Sequence, residues 1–331
     1  MLIYACRSIS NAHQSLVYTC GICKALCSIL LLYQNTNSSN ERTRMFKLND
    51  EQQIPMLTLG TYEAKGDKLF AAVDEALKVG YRSFDTAKYY ENEKDLGNAL
   101  KKLLPRYNLR TEDIYLTSKV FPYSSKNAFE LITSDVNESL EWLDRKYLDL
   151  VLVHYPRPLD TEDLDERNEA YRMAAWLALE KLKLDGKIRS IGVSNYEPHH
   201  LAEMKSYLTI QPQINQVEYH PHFQRKVLHA YCKKNGILLQ AFSPFGRANS
   251  ILLNDEILLD VAKKNRTTVT NVILAWIIKG GNGVVAKSVT ASRVAENFKA
   301  ISFKLSDEHF DEINKLDREA PYVEDRGWLV L

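Results

Sequence analysis

A (β/α)₈ barrel is the fold class that this sequence predicts, on three observations. From Met45 onward, short β-branched or apolar runs alternate with amphipathic segments of ten or more residues. Eight such runs fall within about 250 residues, the number and length that a closed barrel of βα repeats requires. No G-x-G-x-x-G turn follows the first run, although an open doubly wound sheet would normally carry one there. The first run and its exit read Leu57-Thr-Leu-Gly-Thr-Tyr62, and Gly280-Gly-Asn-Gly283 leads into a run rather than out of one.

Taken in order, the predicted strands are Leu57–Gly60, Ser83–Thr86, Ile114–Ser118, Leu148–His154, Ser190–Ser194, Ile214–Glu218, Leu238–Phe242 and Val284–Ala286. Between them the 3.6-residue period predicts helices at Lys68–Val79, Lys126–Leu143, Ala170–Leu184, Glu197–Ser206 and Val227–Asn235. Two more, Glu256–Asn265 and Val269–Ile278, precede the last strand. Gly80, Gly186 and Gly236 stand just after the last apolar turn of three of these helices, where a helix stop is expected.

A chain of 331 residues can bury a substantial core. Its 43 basic and 42 acidic residues nearly cancel, and no long basic run occurs, so neither nucleic acid nor anionic lipid is indicated. The expected ligand is a small molecule. Cys6, Cys20, Cys23 and Cys27 crowd the first thirty residues, while Cys232 stands alone in the body. A body with one thiol is not disulfide-stapled and suits a reducing compartment. Cys20, Cys23 and Cys27 lack a matching His or Cys pair at a ligand spacing, so no metal is expected.

Residues 1–44 differ from the rest. They hold no acid before Glu41 and carry a weakly apolar run, Leu16–Tyr33, that Lys24 interrupts, so no stable membrane insertion is expected. Three readings compete for this extension: a targeting peptide, a disordered segment, or translation upstream of a true start at Met45. The last two are preferred. The domain organisation read from the chain is thus an extension, 1–44, and a barrel domain, 45–331. The protein is expected to be a cytoplasmic monomer, although the extension leaves organellar or secretory targeting open.

Active sites of such barrels lie at the carboxyl ends of the strands. Reading those exits gives Asp85 at the end of the second strand, Tyr90 in its loop, Lys119 after the third and His154 after the fourth. Sequential strands tend to be neighbours, so the four side chains should converge on one side of the mouth. Each alone has an ordinary reading: an Asp that caps a helix, a solvated Lys, a packing Tyr, a satisfied core imidazole.

Val79-Gly-Tyr-Arg-Ser-Phe-Asp-Thr-Ala-Lys-Tyr-Tyr-Glu-Asn-Glu93 closely resembles the first signature of the aldo-keto reductases. Further matches follow in that family's order: Leu116-Thr-Ser-Lys119, Leu150-Val-Leu-Val-His154, Ile191-Gly-Val-Ser-Asn195, Asn215-Gln-Val-Glu218 with His220-Pro221, and Phe242-Ser-Pro244. Lys287-Ser-Val-Thr-Ala-Ser-Arg-Val-Ala-Glu-Asn297 is similar to the family's cofactor-binding segment, with Ala286 where Pro is common. The resemblance covers about residues 46–318. It implies a barrel with a short N-terminal β-hairpin and a C-terminal tail.

The resemblance also implies the chemistry. A nicotinamide cofactor gives hydride to a carbonyl carbon while Tyr90 protonates the oxygen. Lys119, held charged by Asp85, would bring the phenol toward the working pH, and His154 would orient the carbonyl. Phe242 corresponds to the ring behind the nicotinamide, where Tyr is frequent, and Ser194, Asn195 and Gln216 correspond to the groups that hold its carboxamide. Thr61, Asp85, Ser243, Val289 and Glu296 complete the nicotinamide and adenosine contacts. Lys287, Ser288 and Thr290, with Arg293 and Asn297 on one helix face, would grip the adenosine end. Two cations there imply a 2′-phosphate, hence NADPH (as NADP+ when oxidised) over NADH.

Tyr62, Phe121, His154 and Tyr155 correspond to the substrate wall, joined by Trp328 from the tail. Such walls suit an apolar or aromatic aldehyde or a small dicarbonyl, in an open pocket rather than a closed steroid-type one. Two rival functions compete with this one. A non-catalytic NADPH-binding scaffold would be expected to lack Tyr90 or Lys119, and both are present. A metal-dependent hydrolase would need several His and acidic ligands converging at the strand ends, of which Asp85 and His154 could serve as two.

Overall fold

Eight parallel strands close on themselves in the order β10-β3-β4-β5-β6-β7-β8-β9. In the computed structural model, which describes residues 45–324 and 327–331, they are β3 (Leu57–Gly60), β4 (Ser83–Asp85), β5 (Tyr115–Val120), β6 (Leu148–Val153), β7 (Ile188–Ser194), β8 (Ile214–Glu218), β9 (Leu238–Phe242) and β10 (Gly283–Lys287). The expectations for residues 1–44, their cysteines and the start at Met45 included, lie outside the described residues.

β3, β8 and β9 have the predicted bounds, and the other five strands differ by one or two residues at an end. One difference matters. Lys119, expected after the third strand, is the penultimate residue of β5 and pairs with Leu152 of β6 in the ladder. A charged residue ends an apolar run on paper, yet here its partner lies inside the barrel and the strand runs on through it. Closure is made by β10, whose Lys287 sits opposite Gly60 of β3.

The helices that cover the barrel include α1 (Gly66–Val79), α2 (Glu93–Leu103), α3 (Ala128–Trp142), α4 (Asn168–Leu184), α5 (Pro198–Glu203) and α6 (Lys226–Lys234). They continue with α7 (Ser250–Leu253), α8 (Glu256–Lys264), α9 (Val269–Lys279), α10 (Ala291–Phe298) and α11 (Asp307–Asn314). α2, α7 and α11 lie outside the predicted helices: α7 is a single turn, and α2 and α11 are dense in charge. α1 stops at Gly80, whose φ of 114° is the left-handed value anticipated for a helix stop. In α9 the six residues Val272–Ile277 are all buried, and Trp276 finds a partner for its indole N–H in Asn314 Oδ1 at 2.8 Å.

A hairpin of β1 (Met45–Lys47) and β2 (Gln53–Pro55) lies at the amino-terminal end of the barrel. Its Leu48 and Ile54 are buried with Leu150, Leu152 and Ile214. Asp50 fixes it there, accepting from Lys183 Nζ and Ser190 Oγ at 2.8 Å each. The hairpin occupies that end, so the strand exits are left to form the site.

Cys232 of α6 is 1% exposed and unpaired, and burial pushes its thiol up to about 12. Among the described residues, no helix is long and apolar enough to cross a membrane.

Candidate active site

Asp85 ends β4 and Lys119 lies in the adjacent β5, so their side chains enter the barrel mouth side by side. They are 2% and 1% exposed. Lys119 Nζ donates to Asp85 Oδ1 at 2.5 Å, to the Thr86 carbonyl at 3.0 Å and to the Tyr90 hydroxyl at 3.3 Å. Burial pushes the ammonium down from the ordinary lysine range, and the Asp85 charge opposes that shift. The second Asp85 oxygen accepts from Gln216 Nε2 at 2.8 Å, and the same amide nitrogen donates to Gln240 Oε1 at 2.9 Å.

Tyr90 ends a 3₁₀ turn, Lys88–Tyr90, that is closed by Glu91 in the left-handed region. Side chains missing from the sequence reading hold this turn. The buried Asn92 amide accepts from Thr86 Oγ1 at 2.6 Å and donates to the carbonyls of Thr61 and Ala64 at 2.8 and 2.9 Å, so it joins the β3 and β4 loops. Glu93, fully buried, accepts from Ser118 Oγ at 2.6 Å and Ser139 Oγ at 2.9 Å, tying the start of α2 to β5 and α3. Burial pushes its carboxyl up, and the two hydroxyls oppose this. Lys88 pairs with Glu138 and lies 3.8 Å from the centre of the Trp142 ring. The adjacency of Asn92 and Glu93 to the Tyr90 turn was the one available signal.

His154 follows β6 directly, its backbone N–H donating to Val120 at 2.8 Å. Its ring centre lies 4.6 Å from that of Phe121 and 5.7 Å from that of Tyr90. Burial, with the Lys119 charge added, pushes the imidazole well below its ordinary range, so it is neutral at neutral pH. Tyr62 meets Tyr90 edge-on at 5.1 Å. Tyr89, which no motif singles out, meets Phe121 at 5.5 Å and His154 at 6.3 Å and is 55% exposed. Tyr155 is half-buried with the Arg157 guanidinium 5.6 Å from its ring centre, and Trp328 packs on Phe223 and Arg225.

The next three exits carry a second group. Ser194 ends β7 and donates to the Gln216 carbonyl at 2.8 Å. Asn195, at φ 64°, donates its backbone N–H to that carbonyl at 3.0 Å and its side-chain amide to the His154 carbonyl at 3.1 Å. Asn tolerates this left-handed backbone better than other side chains do. Phe242 ends β9, and the loop behind it has left-handed backbone at Ser243, Gly246, Arg247 and Ala248. Such strain persists where surrounding structure imposes it. Arg247 reaches across to lie 5.7 Å from the Tyr62 ring. Thr61 uses both its N–H and its hydroxyl on the Asp85 carbonyl, at 3.0 and 2.9 Å.

The third group is at β10. Lys287 ends the strand exposed, Ser288 Oγ accepts from Thr290 N at 3.1 Å, and α10 begins at Ala291 with no side-chain cap. Val289 is half-buried beside it. Arg293 stands exposed one turn before the buried Asn297. Among the described residues neither Lys287 nor Arg293 pairs with a carboxylate. Glu296 is already engaged, accepting from Asn271 Nδ2 at 2.7 Å and pairing with Lys299 at 2.6 Å. Two unpaired cations beside an uncapped helix start fit a phosphate. Among the described residues, no group of three or more His, Cys, Asp or Glu is arranged to hold a metal ion.

The family model described as Aldo/keto reductase family matches residues 56–318. Aldose reductase B of Dictyostelium discoideum is 38% identical over 288 residues, which cover 82% of this chain and 92% of that protein. The glyoxal reductase of Bacillus subtilis (strain 168) is 37% identical over 274 residues, covering 82% of this chain and 92% of its own. Among solved structures, an aldo/keto reductase from Brucella melitensis superposes with a TM-score of 0.74 at 37% identity, over 82% of this chain and 99% of the other. The aldose reductase of Schistosoma japonicum gives a TM-score of 0.76 at 32% identity, over 83% and 93%.

Proposed function

The chain belongs to the aldo/keto reductase family, and on that premise we propose that it is an NADPH-dependent reductase of aldehydes and ketones with Tyr90 as proton donor. The family is one of oxidoreductases that act on small carbonyl compounds with a nicotinamide cofactor. The observation that carries the finer reading is the Lys119 ammonium, bonded at once to Asp85 and to the Tyr90 hydroxyl beside a neutral His154.

NADPH, when bound, supplies a hydride to the carbonyl carbon. Tyr90 gives its hydroxyl proton to the carbonyl oxygen as negative charge builds there. The adjacent Lys119 cation favours the phenolate left behind, and Asp85 keeps that cation charged and in place. Neutral His154 offers one N–H to the same oxygen and stabilises its charge without competing as an acid. Ser194, Asn195 and Gln216 would hold the carboxamide, Phe242 would back the ring, and Lys287 with Arg293 would take the 2′-phosphate. In this reading the working unit is a cytoplasmic monomer of residues 45–331.

Tyr89 and Phe121 lie against His154 and Tyr62 against Tyr90, an aromatic surround that favours small flat carbonyl compounds. Two relatives bear the names aldose reductase and glyoxal reductase, and small dicarbonyls and aromatic aldehydes are the substrates to try first. The test is NADPH oxidation by the purified chain with glyoxal, methylglyoxal and benzaldehyde, beside NADH. Turnover with NADPH in preference to NADH is expected. NADPH binding with no turnover across the panel would leave the protein a scaffold.

A further inference from the structure

We propose that Gly327 and Tyr322, which follow the family-matched segment, are positioning residues for the nicotinamide end of the site, so that the grip on the cofactor depends on the C-terminal tail. This rests on the function proposed above. Gly327 lies so close to Asn195 that a Cβ on it would overlap the Asn195 carbonyl oxygen. A side chain there has no room, so the missing Cβ serves the closeness of the two segments. Asn195 is the residue that links the two halves of the site, donating one way to the His154 carbonyl and, through its backbone, the other way to Gln216. A tail atom pressed against its carbonyl fixes from that side the residue from which both links start.

Tyr322 acts on the opposite flank. Its backbone N–H donates to Glu218 Oε1 at 2.6 Å, and its ring stacks on His220 with centres 5.0 Å apart. Its hydroxyl donates to His222 Nδ1 at 2.8 Å, while Nε2 of that imidazole donates to Asp255 at 3.0 Å. The same ring edge closes on Gly246, where a Cβ would come within 2.6 Å of it. Gly246 belongs to the left-handed loop that leaves Phe242, so Tyr322 braces the loop behind the proposed nicotinamide ring.

Downstream of Gly327 the tail is pinned independently. The Val330 carbonyl accepts from Nε2 of His199 and of His200 at 3.0 Å each, and Leu331 N–H donates to Asp163 at 2.9 Å. Buried Arg172 donates to the Leu331 carbonyl at 2.5 Å and to the Pro156 carbonyl at 3.0 Å, and Glu203 balances its charge. These anchors hold Gly327 against Asn195 from one side while Tyr322 holds the loop from the other.

The experiment compares the full-length protein with Gly327→Ala, reading affinity for NADPH and for adenosine 2′,5′-bisphosphate, which lacks the nicotinamide. Gly327→Ala is expected to weaken NADPH about tenfold, the worth of one well-placed hydrogen bond, and the bisphosphate less than about twofold. Gly186→Ala serves as control, since it strains a left-handed turn at the far end of the barrel with open space around it and should leave both affinities unchanged. If Gly327→Ala does not fold, Tyr322→Phe, which loses only the hydroxyl, is read the same way with an expected loss of about threefold. Equal weakening of both ligands, or unchanged NADPH affinity, overturns the inference alone. Failure of the unsubstituted protein to bind NADPH overturns the proposed function and this inference with it.

Discussion

The two charged ends of the site are built in opposite ways. At the β4–β6 side, Lys119 and Asp85 are desolvated, bonded to each other and tied into Thr86, Tyr90 and Gln216. At the β10–α10 side, Lys287 and Arg293 stand in water with no carboxylate partner among the described residues. Taking an ion pair out of water costs several kcal/mol per ion unless geometry and further hydrogen bonds compensate. The first end meets that cost once, in folding, and is rigid before any ligand arrives. The second leaves its charges in solvent, and on the function proposed above a phosphate would complete them, so that its contribution would show as affinity and coenzyme choice rather than as chemistry.

The largest expected effect tests the rigid end. Tyr90→Phe should lower kcat by about 10²–10⁴-fold, the usual worth of a positioned general acid, with NADPH affinity nearly unchanged. Steady-state rates and fluorescence titration check both halves, and full activity in the Phe variant would break the contrast at its root. Asp85→Ala should follow, since it strands a buried ammonium. A loss of about 3–5 kcal/mol in denaturant melts is expected, partly recovered when Lys119→Met removes the cation as well. An unchanged midpoint would mean that the pair does not carry the charge assigned to it.

At the open end, Arg293→Ala should weaken NADPH about tenfold or more, the worth of a charge-assisted contact, while NADH changes less than about twofold. Equal losses for the two coenzymes would erase the distinction between the ends. The smallest effect concerns acid. His200, beside Arg172, is pushed by burial down to about 3 and is neutral in the fold, whereas an unfolded imidazole titrates near 6.5. Between those values the unfolded chain binds a proton that the native chain does not. Stability present above pH 6.5 is therefore lost as pH falls, by up to about 1.4 kcal/mol per pH unit for one such group. Melts at pH 7.5 and 5.5, with His200→Gln flattening the slope, check the sign.

Much of this was legible in the sequence because it is local. Strand runs such as Ile214–Glu218 carry their own apolar pattern, and Asp85 and Tyr90 lie five residues apart in one motif. The meeting of Asp85 with Lys119 also followed, since adjacent strands of a barrel are neighbours. That Lys119 continues β5 did not, because a charge inside a strand gains sense only from a partner 34 residues away. Asn92 read as a loop residue until its partners on two other loops were in view. Glu296 is held by Asn271, 25 residues away, a partner that no local pattern announces. The tail was the least legible segment. Residues 318–331 have no period, and Tyr322 is fixed by Glu218, 104 positions earlier.

Cys232 bears on how such an enzyme survives its own substrates. Reactive aldehydes and dicarbonyls attack soft nucleophiles, and the species they capture is the thiolate. From residue 45 onward Cys232 is the sole cysteine, sealed in α6 with its thiol pushed up to about 12, and so it is protonated and out of reach. From residue 45 onward the chain thereby presents no accessible sulfur nucleophile to such electrophiles.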